Sequence, residues 1–252
     1  MISTIVSYRL ASNDIDKSIE RVSSQATVSR EVEYYLENIG NVKSADDLID
    51  DYRLFSFAMK AFGLEDMTYG KAFMKKVLAE GVDADDSFAN SLSDKRYAEF
   101  AKTFNFVAFD ESTTSFTKTQ QGVVDKYLRQ TLEEQAGDEN EGVRLALYFE
   151  RKAETIDNFY QVLADKALSK VVRTVLGLPD SIAYADIDKQ VEMFADRIDI
   201  ETLGDPEKLE KLLDRFAAMW DATNSQDQAV SGVASFRHRP STMGEQRISD
   251  RC

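Results

Sequence analysis

Apolar residues recur along the chain at the spacing of a helix face, and short polar or glycine punctuation separates the runs. Val28, Val32, Tyr35, Leu36 and Ile39 fall at i, i+4, i+7, i+8 and i+11, with Gly40 after them as a stop. Asp51 is placed to cap a helix striped by Leu54, Phe55, Ala58, Met59 and Phe62, and Gly63 to supply its left-handed end. Tyr69, Phe73 and Val77 stripe the next run, which stops at Gly81. Asp94 heads Tyr97, Phe100, Ala101 and Phe104, with Asn105 in the stop position. Val124, Tyr127, Leu128 and Leu132 form a further stripe ending near Gly137. Asp165 opens a helix that reaches Leu176 and stops at Gly177, and Ile187, Val191, Phe194 and Ile198 make another. Asp205-Pro206, a cap followed by proline at the first helical position, opens the last stripe, Leu209 to Trp220. Phe104–Phe109 is the one strand candidate, and it is short. The pattern predicts an all-α fold.

The runs repeat. Asp51 to Asp66 aligns without gaps on Asp165 to Asp180, matching Leu54 with Leu168, Gly63 with Gly177 and Leu64 with Leu178. Upstream, Tyr35-Leu36-Glu37 resembles Tyr148-Phe149-Glu150, one residue out of step. Asp94 to Phe106 reads as a degenerate third copy and Asp205 to Phe216 as a fourth. Each unit is a helix, a connection, a short helix, an aspartate cap, a longer helix and a stop. Its apolar face cannot be buried alone, so the units are expected to pack together into one bundle-like or solenoid-like body. Polar 110–117, rich in Ser and Thr, reads as a linker between an N-terminal half (1–109) and a C-terminal half (118–220). From residue 221 the stripe disappears, and 221–252 reads as a disordered tail. There Val230, Val233 and Phe236 could form one face of a helix induced by a partner.

Composition narrows the chemistry. Of 252 residues, 43% are hydrophobic and 30% charged, with only 3 Pro and 11 Gly, which suits long helices. The net charge of −14 opposes nucleic-acid binding, because a duplex is a polyanion. It is uneven: Asp221 to Cys252 holds Asp221, Asp227, Glu245 and Asp250 against Arg237, Arg239, Arg247 and Arg251, so the whole excess precedes it. One His and one Cys leave no ligand set for zinc. Asp138-Glu-Asn-Glu-Gly142 begins like a calcium loop but has its glycine one position early and Phe149 where the closing glutamate belongs. Asp83, Asp85 and Asp86 precede a helix, where carboxylates favour the dipole. Phosphate-binding glycine motifs are missing, and His238 lies between two arginines in the tail, a poor place for a general base. No catalytic residue, cofactor or metal is therefore expected. No stretch is long and apolar enough to span a membrane or to serve as a secretory signal. Cytoplasm is the default reading, with export lacking a cleaved signal as the alternative.

Several longer runs are distinctive: Glu33 to Gly40, Asp51 to Asp66, Gln120 to Asp125, Glu141 to Arg151 and Asp205 to Leu213. In that order they resemble the bacterial domain-of-unknown-function family numbered 1217, over about Ile2 to Trp220 and not beyond. The family's genes are alphaproteobacterial and often lie among flagellar genes, and it carries no established catalytic residues to transfer. The resemblance implies a flagellum-associated role by genomic company alone. The expectation is a non-enzymatic helical protein that binds a protein partner in flagellar assembly or motility. An exported axial component and an enzyme using carboxylates alone are the alternatives, and the oligomeric state is left open.

Overall fold

The computed structural model describes residues 3–235, with side chains to residue 224. In chain order the α-helices are α1 (Thr4–Ser12), α2 (Ile15–Ser23), α3 (Ala26–Asn38), α4 (Ala45–Asp50), α5 (Tyr52–Ala61), α6 (Lys71–Ala79), α7 (Phe88–Ser91) and α8 (Arg96–Thr103). There follow α9 (Phe106–Phe109), α10 (Gln121–Glu139), α11 (Glu141–Ala153), α12 (Phe159–Ala164), α13 (Lys166–Val175), α14 (Ile187–Ala195) and α15 (Pro206–Ser235). Short 3-10 turns join several of them, and no strand occurs among the described residues.

The repeat is built into the backbone. Asp51 accepts hydrogen bonds from the amides of Arg53 and Leu54 at the start of α5, and Asp165 from those of Ala167 and Leu168 at the start of α13. At the other end Gly63 and Gly177 stand at φ 68° and 65°. That left-handed turn lets the amide of Leu64 reach the Met59 carbonyl and that of Leu178 reach the Arg173 carbonyl. The preceding short helices correspond too. Ser44 caps α4 and Asn158 caps α12, while the side chains of Asp47 and Gln161 reach back to the amides of Lys43 and Asp157. The tyrosines fix the register: Tyr34 donates to Asp51 and Tyr148 to Asp165, both across seventeen residues. Tyr34, not Tyr35, is therefore the partner of Tyr148, and the offset inferred upstream vanishes. Tyr35 corresponds instead to Phe149, and both are fully buried.

The weaker copies are partial. Ser87 caps α7 as far before Asp94 as Ser44 lies before Asp51, so α6, α7 and α8 follow the helix, short helix, helix plan. Asp205 accepts from the amides of Glu207 and Lys208 at the head of α15. Asn105 is not a stop. Its φ is −81°, and its side chain accepts from the Ala108 amide, so it starts α9 and turns the strand candidate Phe104–Phe109 into a helical turn. Gly137 does not end a helix either. α10 runs through it to Glu139, and Arg144 lies across the space that a side chain there would fill.

Two apolar clusters make up the core. One spans α2 to α10, with Tyr35, Phe55, Met59, Phe100 and Phe104 at its centre. The other joins α11 to α15 and includes Tyr8 of α1. The division thus falls at Asn140, the extended residue between α10 and α11, rather than at 110–117. Segment 110–117 is anchored at its middle: Thr113 and Thr114 are fully buried, Thr114 donates to the Val42 carbonyl and Thr113 to that of Asp110, while the residues on either side are exposed. The hydroxyls of these two threonines are spent on backbone acceptors, as buried polar groups require. α1, expected in the N-terminal half, crosses to the other cluster. Thr4 bonds Asp221 of α15 and accepts from Asn140, and Arg9 pairs with Asp214.

The last helix also runs further than its composition suggests. α15 continues without a break from Trp220 to Ser235. Ala222 to Ala229 contains no glycine or proline, and extending a nucleated helix is far easier than starting one. The side chains of Val230 and Val233, and all of Phe236, lie outside the described residues.

Candidate interaction site

Of the aspartate caps and glycine stops that the sequence singles out, Gly63 and Asp94 meet at the side chain of Arg96; the residue flanking α8 is Lys95 rather than the expected cap Asp94, which accepts from the Arg96 amide instead. Arg96 at the head of α8 donates to both oxygens of Asp94 and to the carbonyl of Gly63, and it lies in the field of Tyr148 and Asp165. Burial alone would raise the Asp94 carboxyl, but hydrogen bonds from Arg96 hold it below its usual range. Asn105, Gly177 and Asp205 take no part in this cluster.

A second polar cluster, invisible to helix periodicity, locks α10 to α11. Glu133 is 1% exposed. It accepts from Arg129 Nε at 3.0 Å and from Arg151 Nε and Nη2 at 2.7 and 2.8 Å. Arg129 also donates to the Leu147 carbonyl at 2.9 Å. Beside it Glu150 faces Tyr8 and Arg129; burial raises its carboxyl, with Arg129 and Tyr8 opposing and Glu133 reinforcing. The cluster neutralises itself and holds the two halves together. Among the described residues no group of three or more acid, His or Cys side chains is arranged to hold a metal.

The surface is different where the second copy opens. A cleft of about 650 Å³ lies between α12, α14 and the turn before α15. Phe159, Tyr160, Val191, Ile198 and Ile200 provide its apolar lining. Asp157, Asp196 and Asp199 stand around it with one cation, Arg197. Tyr160 is 49% exposed and bonds Asp188 through its hydroxyl at 2.8 Å. Tyr184 and Ile187, at the entry to α14, are 92% and 52% exposed.

The first copy shows what closes such a place. α4 and α12 have the same length, as do α6 and α14. The second residue of α4 is Asp46 and the fifth of α6 is Lys75, and these pair at 2.8 Å. At the same positions of α12 and α14 stand Tyr160 and Val191. The second copy therefore has no cation bridging α12 and α14, which are joined instead by the Tyr160–Asp188 hydrogen bond. No ion pair within 4.0 Å involves Asp157, Asp196 or Asp199 among the described residues. An apolar lining beneath unpaired carboxylates is suited to a peptide that brings both an apolar side chain and a positive charge. Of the expected stripe Ile187, Val191, Phe194 and Ile198, Phe194 and Ile198 are buried and Val191 packs against them, while Ile187 is exposed. The signal that sequence reasoning missed was the exchange of a charged pair for Tyr160 and Val191 between aligned copies.

A family model described as Protein of unknown function (DUF1217) matches residues 61–209. The chain is also similar to a protein of Agrobacterium tumefaciens whose X-ray structure was a structural genomics target. The identity is 52%, over 89% of this chain and 97% of that one, with a TM-score of 0.81. No curated protein matches the chain. No helix among the described residues is long and apolar enough to cross a membrane.

Proposed function

The chain belongs to the DUF1217 family, and from that premise we propose that it is a non-enzymatic helical protein that binds a protein partner in flagellar assembly or motility. One observation carries the binding half of this reading: at the α12–α14 surface, apolar below and acidic around, a Tyr160–Asp188 hydrogen bond stands where the first copy has the Lys75–Asp46 ion pair, which leaves the neighbouring carboxylates without a paired cation among the described residues. Rigid support surrounds it. Asn158 caps α12, Asp186 caps α14 and Asp199 caps the following turn, so the walls are fixed by backbone hydrogen bonds. The buried ionisable groups elsewhere bond one another across helices, which supports a structural use for them. The flagellar half rests on the genomic company that the family resemblance implies.

Deleting the gene tests the proposal. Swimming should be impaired while growth stays normal, and affinity capture of the tagged protein from motile cells should bring a flagellar protein with it. Normal swimming, with no second copy of the gene present, contradicts the flagellar reading. Location separates the exported alternative: an axial component appears in sheared flagella, and a scaffold stays with the cells.

A further inference from the structure

We infer that the α12–α14 cleft receives the Phe236–Arg239 segment of a second copy of this chain. This rests on the reading of the cleft as a protein-binding site and names its occupant. The cleft offers an apolar lining at Tyr160, Val191 and Ile198 with Asp157 and Asp196 at its edge. A complementary peptide needs an apolar anchor next to cations. The sequence contains such a run: Phe236-Arg237-His238-Arg239, within a terminal stretch whose four arginines outnumber Glu245 and Asp250. The rest of the chain carries the entire negative excess, so attraction between the two is built into the sequence.

Reach decides between the chain's own segment and that of a neighbour. α15 starts at Pro206, shortly after Ile200 of the cleft, and runs for 30 residues. At a rise of about 1.5 Å per residue its last residue, Ser235, lies roughly 44 Å from its start. The four residues 236–239 span at most about 14 Å when extended. That reach is shorter than the helix separating them from their own cleft, so the occupant we infer is the segment of a second copy. Reciprocal exchange closes a dimer; one-way insertion builds a longer assembly.

Sedimentation velocity on the full-length protein over a range of concentrations tests this. The wild type should gain mass with concentration at low salt and lose it at high salt, since the contacts at the edge are exposed to screening. Both Asp157→Lys/Asp196→Lys and Arg237→Glu/Arg239→Glu should weaken association by about tenfold or more, because each brings like charges together. The four substitutions in one chain should restore it. Thermal melting checks that each variant is folded. A wild type that stays monomeric overturns the inference, as does association that survives the arginine reversal. The two readings fail separately. The cleft as a binding site falls if folded Asp157→Lys/Asp196→Lys protein supports normal swimming, whereas the self-association inference is decided by mass alone.

Discussion

Glu133 shows how much can depend on one side chain that no periodicity reveals. It sits at a buried helix position, and two arginines from two helices converge on it. Removing it leaves Arg151 without its carboxylate partner and Arg129 with only Glu150, 3.7 Å away. Glu133→Ala should therefore cost about 3 kcal/mol, read as a lower urea midpoint. Glu150 should behave in the opposite way. Its carboxyl is raised by burial, so the fold disfavours its ionised form. Stability from this group is fully present below its unfolded pKa and is lost as pH rises through the raised folded value. Glu150→Gln should melt no lower than wild type at neutral pH, and any advantage should shrink as pH falls toward the ordinary glutamate range. Urea midpoints of both proteins across that window measure it; a Glu150→Gln variant less stable at neutral pH would contradict the assignment. Gly142 adds a steric case. A Cβ there would lie 2.5 Å from Trp220 Cδ1, so Gly142→Ala should destabilise by about 1–3 kcal/mol. In the sequence this glycine reads only as part of an imperfect calcium loop, because its reason is a tryptophan far along the chain.

At the scale of elements the sequence is most legible where a signal is local. Asp51, Asp165 and Asp205 cap helices because an aspartate binds amides two and three residues ahead. Gly63 and Gly177 end them because only glycine takes a left-handed φ without strain. Replacing either by Val should cost more than about 1 kcal/mol. The nearest neighbours of an added Cβ are 3.4 Å away at both positions, so the effect is conformational rather than steric. Unchanged urea midpoints in both variants would remove that argument. Asn105 misled because asparagine serves either helix end, and the choice was made by the Ala108 amide. Segment 110–117 misled because its threonines look solvated until Val42 and Asn105 supply acceptors. α1 could not be placed at all, since Thr4 finds its partners at Asn140 and Asp221. Tyr34 and Tyr148 were within reach: extending the gapless alignment upstream without the shift puts each in the same relation to its aspartate.

The whole molecule is a duplicated helical body with a polar seam and one place where the duplication is broken by an opening. All-α character and repetition were readable from periodicity, but the cleft was not. There the second copy places Tyr160 and Val191 where the first has an ion pair, a difference that means nothing until the two helices are known to pack together. The account therefore predicts that rebuilding the pair should close the site. Tyr160→Asp/Val191→Lys sets the first copy's residues into the second, and the measurement is swimming by a deletion strain that carries this variant as its only copy. The protein should accumulate and melt like the wild type while failing to restore swimming. Full restoration by a folded variant would contradict the claim that this cleft is where the protein works.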